Sequence, residues 1–291
     1  MENKVSNMWK SFLPSIVVFA LQLAFSYIGM FLVFCLQAHH YTGGGFKKFI
    51  QSYYKVVTST DFNVLVMLVY AVIATVLFSI WYYKKVRDKE KDQPAFAAFQ
   101  KQPLYFVAGA LLLAFGMQYL CTYLSNVVAM LFPDWLSTYE ALMDGMGMSD
   151  GLTVPLILYT IILGPVCEEL AFRGLTFTYA RRAMNFWGAN VVQAFLFAAM
   201  HMNPLQAVYT FLFGLVLGYF VEKAGNLSIG ICLHICFNAV GVLSGGLAMG
   251  GNGPVQFFCI LFGSMVATYL GFLLLKRCVT KEENNKKTIW R

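Results

Sequence analysis

The chain has 291 residues, of which 59% are hydrophobic and only 12% charged, and its mean hydropathy is +0.64. A soluble domain is nearer a quarter charged, so this composition excludes a soluble globular enzyme and points to an all-α polytopic membrane helix bundle. The net charge of +7 raises the question of a nucleic-acid partner, which the placement of the charges answers below.

Windows of about 20 apolar residues mark membrane helices. Eight are expected: Phe12–Leu36, Phe62–Tyr83, Pro103–Phe132, Leu152–Arg181, Trp187–His201, Leu205–Val221, Leu227–Met249 and Val255–Leu275. The first follows Lys4 and Lys10 but is too long for a signal-peptide core, and no small-x-small cleavage site follows it. It reads as a retained span. The Gln37–Asp61 connection is the longest, and Gly43-Gly44-Gly45 supplies a turn or flexible element. The fifth window ends at His201-Met202-Asn203-Pro204, where proline ends or kinks a helix. On the sixth, Gly214 and Gly218 form a small-xxx-small pair suited to close helix packing. One membrane domain is expected over 1–291, with catalytic core helices over 152–249 and a cytoplasmic tail over 276–291. Seven cysteines are scattered through apolar runs with no paired framework, so they read as free buried thiols.

Placing the N-terminus inside and alternating puts 17 of the 21 basic residues in cytoplasmic segments, with only Lys47, Lys48 and Lys55 outside and Arg173 within a span. The Pro133–Gly151 loop, placed outside, has four acids and no Lys or Arg. This is a positive-inside pattern with both termini cytoplasmic. The net charge therefore reflects orientation rather than nucleic-acid binding, and the Lys84–Asp92 run reads as a solvated loop brushing anionic lipid.

The informative stretch is Gly164-Pro-Val-Cys-Glu168-Glu169-Leu-Ala-Phe-Arg173-Gly174. A charge at the bilayer centre costs roughly 2.5–3.5 kcal/mol on insertion scales. Three in six residues imply use. Deep polar side chains elsewhere are few: His201, His234 and Asn238. Glu169 and Arg173 are four apart on one helical face, as are His234 and Asn238. Glu168 is about 100° around the helix from Glu169, so one carboxylate can be held by Arg173 while the other looks into the bundle. By helical rise, Glu168, His201 and His234 all fall within the hydrocarbon thickness, and a tilted bundle can bring them to one cavity.

A carboxylate, two imidazoles and an amide on separate spans suit hydrolysis. Glu168 can act as general base toward a water shared with His201, with His234 and Asn238 donating to the oxyanion. The same Glu168, His201 and His234 also suit catalytic zinc with an open fourth position, and no HExxH motif settles the choice. Two other classes compete: a non-catalytic binding or immunity protein, and a transporter or proton relay, against which the missing inverted repeat counts.

At these residues the chain resembles the CPBP family of intramembrane proteases, also called the Abi or CAAX-protease family. The EExxxR motif matches at Glu168-Glu169-Leu-Ala-Phe-Arg173, FxxxH at Phe197-Ala-Ala-Met-His201, and HxxxN at His234-Ile-Cys-Phe-Asn238, in family order and on separate spans. The resemblance covers about Gly164 to Asn238. It implies an endopeptidase acting on a membrane-associated peptide or protein, prenylated or a peptide precursor. Glu168 corresponds to the water-activating glutamate, His201 to its partner, His234 and Asn238 to oxyanion or metal-side residues, and Glu169 with Arg173 to a supporting pair. Whether zinc is bound, and the oligomeric state, stay open. Short loops favour a prokaryotic plasma membrane.

Overall fold

In a computed structural model the described residues are 4–43, 45–87, 96–148, 151–244 and 253–279, and all regular elements among them are helices. They are α1 (Lys4–His39), α2 (Phe46–Val57), α3 (Thr60–Val86), α4 (Ala97–Lys101), α5 (Pro103–Leu131), α6 (Pro133–Gly145), α7 (Val154–Ala183), α8 (Phe186–Ala199), α9 (Pro204–Ala224), α10 (Ser228–Leu243) and α11 (Pro254–Val279). Six of them, α1, α3, α5, α7, α9 and α11, are long and apolar enough to cross a membrane. The chain is an integral membrane protein. A helix forms in each of the eight expected windows, but Phe132, Leu152, Thr153, Met200, His201, Leu227 and Ser244 at their ends are not helical; residues 44, 88–92, 149–150, 245–249 and 280–291 lie outside the described residues.

Two windows come out short. At 1.5 Å per residue, the 14 residues of α8 and the 16 of α10 run roughly 21 and 24 Å, less than the roughly 30 Å hydrocarbon core. Both supply polar groups to the interior, as described below. Two connections expected as loops are helical instead. The α2 helix lies within Gln37–Asp61, and α6 within Pro133–Gly151. Both are amphipathic and shorter than a span, so a hydropathy window passes over them.

Helix starts follow from local chemistry. Pro103, Pro133 and Pro204 each sit in a first turn, where the missing N–H is not needed. Ser59, Asn185 and Asn203 cap the N–H groups of Phe62, Gly188 and Gln206 at 3.3, 2.9 and 3.0 Å. The α9 helix ends at Gly225, whose φ of 65° is left-handed.

The bundle is built around α7, which touches α1, α3, α8, α9 and α10. Close pairs form where glycines remove side chains. In the α5–α11 pair, a Cβ at Gly109 would meet Leu275 Cγ at 2.9 Å, and Gly116 faces Thr268. The expected close packing through Gly214 and Gly218 is present against α8, with a Cβ on Gly214 landing 3.1 Å from Ala194 Cβ. There the buried Gln193 and Asn190 amides donate to the carbonyls of Gly214 and Leu215 at 2.9 and 3.0 Å. At the end of α7 away from Thr153, Arg181 holds Glu222 of α9 with two hydrogen bonds of 3.2 and 2.9 Å, and Arg182 donates to Val86 O of α3 at 2.9 Å. Outward-facing apolar side chains such as Trp9, Phe31 and Met130 remain exposed, which suits faces solvated by lipid rather than water. All seven cysteines are free, but contrary to expectation only Cys121, Cys167 and Cys278 are buried; Cys232 and Cys236 are half-buried and Cys35 and Cys259 exposed, because an apolar run facing outward leaves its thiols uncovered by protein.

Candidate active site

The geometry of α7 begins at Pro165. The helix widens into i to i+5 turns over Leu158–Leu163 and again over Leu170–Thr176, a distortion common at functional sites. In the first wide turn the N–H of Gly164 bonds to Tyr159 O. The next carbonyl in that register, Thr160 O, would need the N–H of residue 165, and proline has none. Asn238 of α10 supplies it, its Nδ2 donating to Thr160 O at 2.8 Å. The amide expected as an oxyanion donor thus pins α10 to the break in α7, three residues past which begins the Glu168-Glu169 pair's own turn.

Glu169 is fully buried and accepts from Arg173 Nη1 at 2.7 Å, with both side chains closed to solvent. The same oxygen, Oε1, accepts from His234 Nδ1 at 2.9 Å. A carboxylate can only accept here, so Nδ1 carries the proton. The ring's other nitrogen, Nε2, faces Glu168 Oε2 at 3.6 Å. Glu168 is about a third exposed, and no hydrogen bond from another described residue ties it down. The two adjacent glutamates are therefore divided as the 100° offset between them requires: one is locked by Arg173 and His234, the other is open.

Phe197 holds the cluster together. The Arg173 guanidinium lies 4.2 Å from its ring centroid, a cation–π contact. The rings of Phe172, His201 and His234 meet it edge-on at 5.3, 5.0 and 5.7 Å. Beyond α8 the chain turns through His201 and Met202, whose φ is 52°. There His201 N bonds to Ala198 O rather than to Phe197 O. The carbonyl so released accepts from His201 Nδ1 at 2.9 Å, leaving that ring's Nε2 as its acceptor nitrogen. Glu168 and His234 are both within electrostatic range of His201. The structure thus brings Glu168, Glu169, Arg173 and His234 into one bonded or near-contact set, ties Asn238 to its backbone, and holds His201 against the shared Phe197.

Several contributors are silent in the motifs. Tyr70, Tyr159 and Tyr209, from α3, α7 and α9, come within electrostatic reach of Glu168. Cys167 donates its thiol hydrogen to Tyr70 OH at 4.0 Å. Their only sequence signal is a hydroxyl in an apolar run. Gly230 of α10 is another. A Cβ there would stand 2.6 Å from Glu169 Oε2 and 2.8 Å from Val221 Cγ2. Gly230→Ala is accordingly expected to lower stability by about 1–3 kcal/mol through overpacking, measured by thermal unfolding in detergent, and to lower activity by displacing the Glu169 carboxylate.

As to metal, among the described residues no three His, Cys, Asp or Glu side chains are gathered at ligand spacing. Glu168, His201 and His234 do not present a preformed zinc-binding set, and no step below runs through a metal.

No curated protein and no solved structure shows significant similarity to the chain. Residues 150–240, in contrast, match the family model described as "Type II CAAX prenyl endopeptidase Rce1-like". That segment carries all six polar side chains, the Pro165 break and the Phe197 hub. Over that segment the chain is similar to the Rce1-like family of CAAX prenyl endopeptidases.

Proposed function

We propose that the protein is an intramembrane endopeptidase that hydrolyses a peptide bond in a membrane-associated peptide or protein, of the prenylated CAAX type or a peptide precursor, in a prokaryotic plasma membrane. The observation that carries the mechanism is the 3.6 Å approach of Glu168 Oε2 to His234 Nε2, with His234 fixed from behind by Glu169. One water can hydrogen-bond to both groups at that separation. Glu168 takes a proton from the water as its oxygen attacks the carbonyl carbon. His234 as the imidazolium, with Nδ1 donating to Glu169 and Nε2 also bearing a hydrogen, donates from Nε2 to the oxygen on which negative charge develops. Glu168 then returns the proton to the leaving amine, and the carbon–nitrogen bond breaks. His201 keeps Nε2 available to orient the same water, because its Nδ1 donates to Phe197 O. Asn238 serves as a positioning residue that holds α10 against α7, and Glu169 with Arg173 fixes the His234 ring.

The test is cleavage by the purified protein in vesicles, using C-terminal peptides with and without an isoprenyl group and identifying the products by mass spectrometry. Internal cleavage that is faster on the prenylated peptide is expected. Intact peptides of both kinds would overturn the proposal. Activity that a chelator removes and zinc restores would transfer water activation from Glu168 to a metal.

A further inference from the structure

Lys47, Lys48 and Lys55 are the three basic residues that the charge pattern places on the side opposite the 17 cytoplasmic ones, and all three fall on α2. At 3.6 residues per turn they share one side of that helix with Gln51, while Phe46, Phe49, Ile50, Tyr53, Tyr54 and Val57 fill the other. The segment Phe46–Val57 has no Asp or Glu. None of the three lysines pairs with another described residue, and all three are exposed.

Only part of the apolar side is covered by protein. Phe49 packs edge-on against Phe34 and Tyr41, each at 5.4 Å, and Tyr53 meets Phe34 at 5.9 Å. Gln37 Nε2 donates to Ser52 O at 3.4 Å. Phe46 and Tyr54 remain 77% and 66% exposed, with Ile50 at 39% between them. These contacts place α2 beside one end of α1: Phe34 lies five residues before its end at His39, roughly 8 Å along the axis, as an interfacial helix requires. The two spans that α2 connects expose apolar side chains as well, among them Phe31 and Leu36 of α1 and Leu65 of α3.

We propose that α2 is a site for anionic phospholipid: it lies flat in one leaflet with Phe46, Ile50 and Tyr54 among the acyl chains and Lys47, Lys48 and Lys55 on negatively charged headgroups. A lysine at such a surface strengthens binding about fivefold, so the three together act on the order of a hundredfold at low salt.

The test follows amide exchange of residues 46–57 in the full-length protein, reconstituted in vesicles of phosphatidylcholine alone or with phosphatidylglycerol. Protection that rises with phosphatidylglycerol, falls with salt, and loses its phosphatidylglycerol dependence in K47Q/K48Q/K55Q is expected. In F46S/Y54S, protection drops in both vesicles. Exchange that is the same in both vesicles and in the lysine variant would overturn the proposal, as would protection that depends on protein density in the membrane, which assigns the strip to a second copy.

Discussion

Glu168→Gln should lower peptide hydrolysis by roughly 10²–10⁴-fold, the range typical of a lost general base, and leave thermal unfolding in detergent nearly unchanged. Both halves come from the same geometry. Glu168 reaches no described hydrogen-bond partner and is about a third exposed, so glutamine of the same shape takes its place without stranding a buried donor. What glutamine cannot do is take a proton from water. An activity that survives in Glu168→Gln, measured as product per unit time in vesicles, would remove Glu168 from the mechanism.

The neighbouring residue should behave in the opposite way. Arg173→Met is expected to destabilise the protein by about 3–5 kcal/mol, the penalty for leaving one member of a buried ion pair unmatched. Arg173 and Glu169 are wholly closed to solvent at 2.7 Å, and the stranded carboxylate would keep only His234 as a partner. The guanidinium also leaves the Phe197 face. The double variant Glu169→Met/Arg173→Met should recover much of that loss, since replacing a whole buried pair by apolar groups is often neutral. Activity should stay low in both, because His234 is no longer held from behind. Reversible unfolding in mixed detergent reads the first effect, and cleavage rate the second. Equal stability of wild type and Arg173→Met would mean that the pair is not buried in the folded protein.

That contrast between adjacent glutamates was half legible in the sequence. Helical spacing places Glu169 and Arg173 on one face and turns Glu168 away, and the geometry agrees. The partner of the locked glutamate was not legible. His234 stands 65 positions along the chain, and no local periodicity links α10 to α7. Asn238 shows the limit most clearly. Its spacing from His234 puts both on one side of α10, yet its amide serves the carbonyl that Pro165 leaves without a donor. Recognising this needs the wide turn before Pro165, which a repeat of 3.6 residues does not reveal. At the level of the fold, the eight apolar windows were visible because burial in lipid selects composition directly. The α2 and α6 helices escaped because their apolar residues occupy one side only, and averaging over a window dilutes them. Phe197 was visible as a motif letter, but its contact with Arg173, His201 and His234 at once is a property of packing.

The central claim is that Glu168 and His234 act together on one water beside the scissile bond. The most direct measurement is an experimental structure of the protein with a peptide whose scissile bond is replaced by a hydroxyl-bearing tetrahedral isostere. The account predicts that hydroxyl within hydrogen-bonding distance of both the Glu168 carboxylate and His234 Nε2. A hydroxyl bound away from Glu168, or a zinc ion held by Glu168, His201 and His234 at about 2.0–2.2 Å, would contradict it.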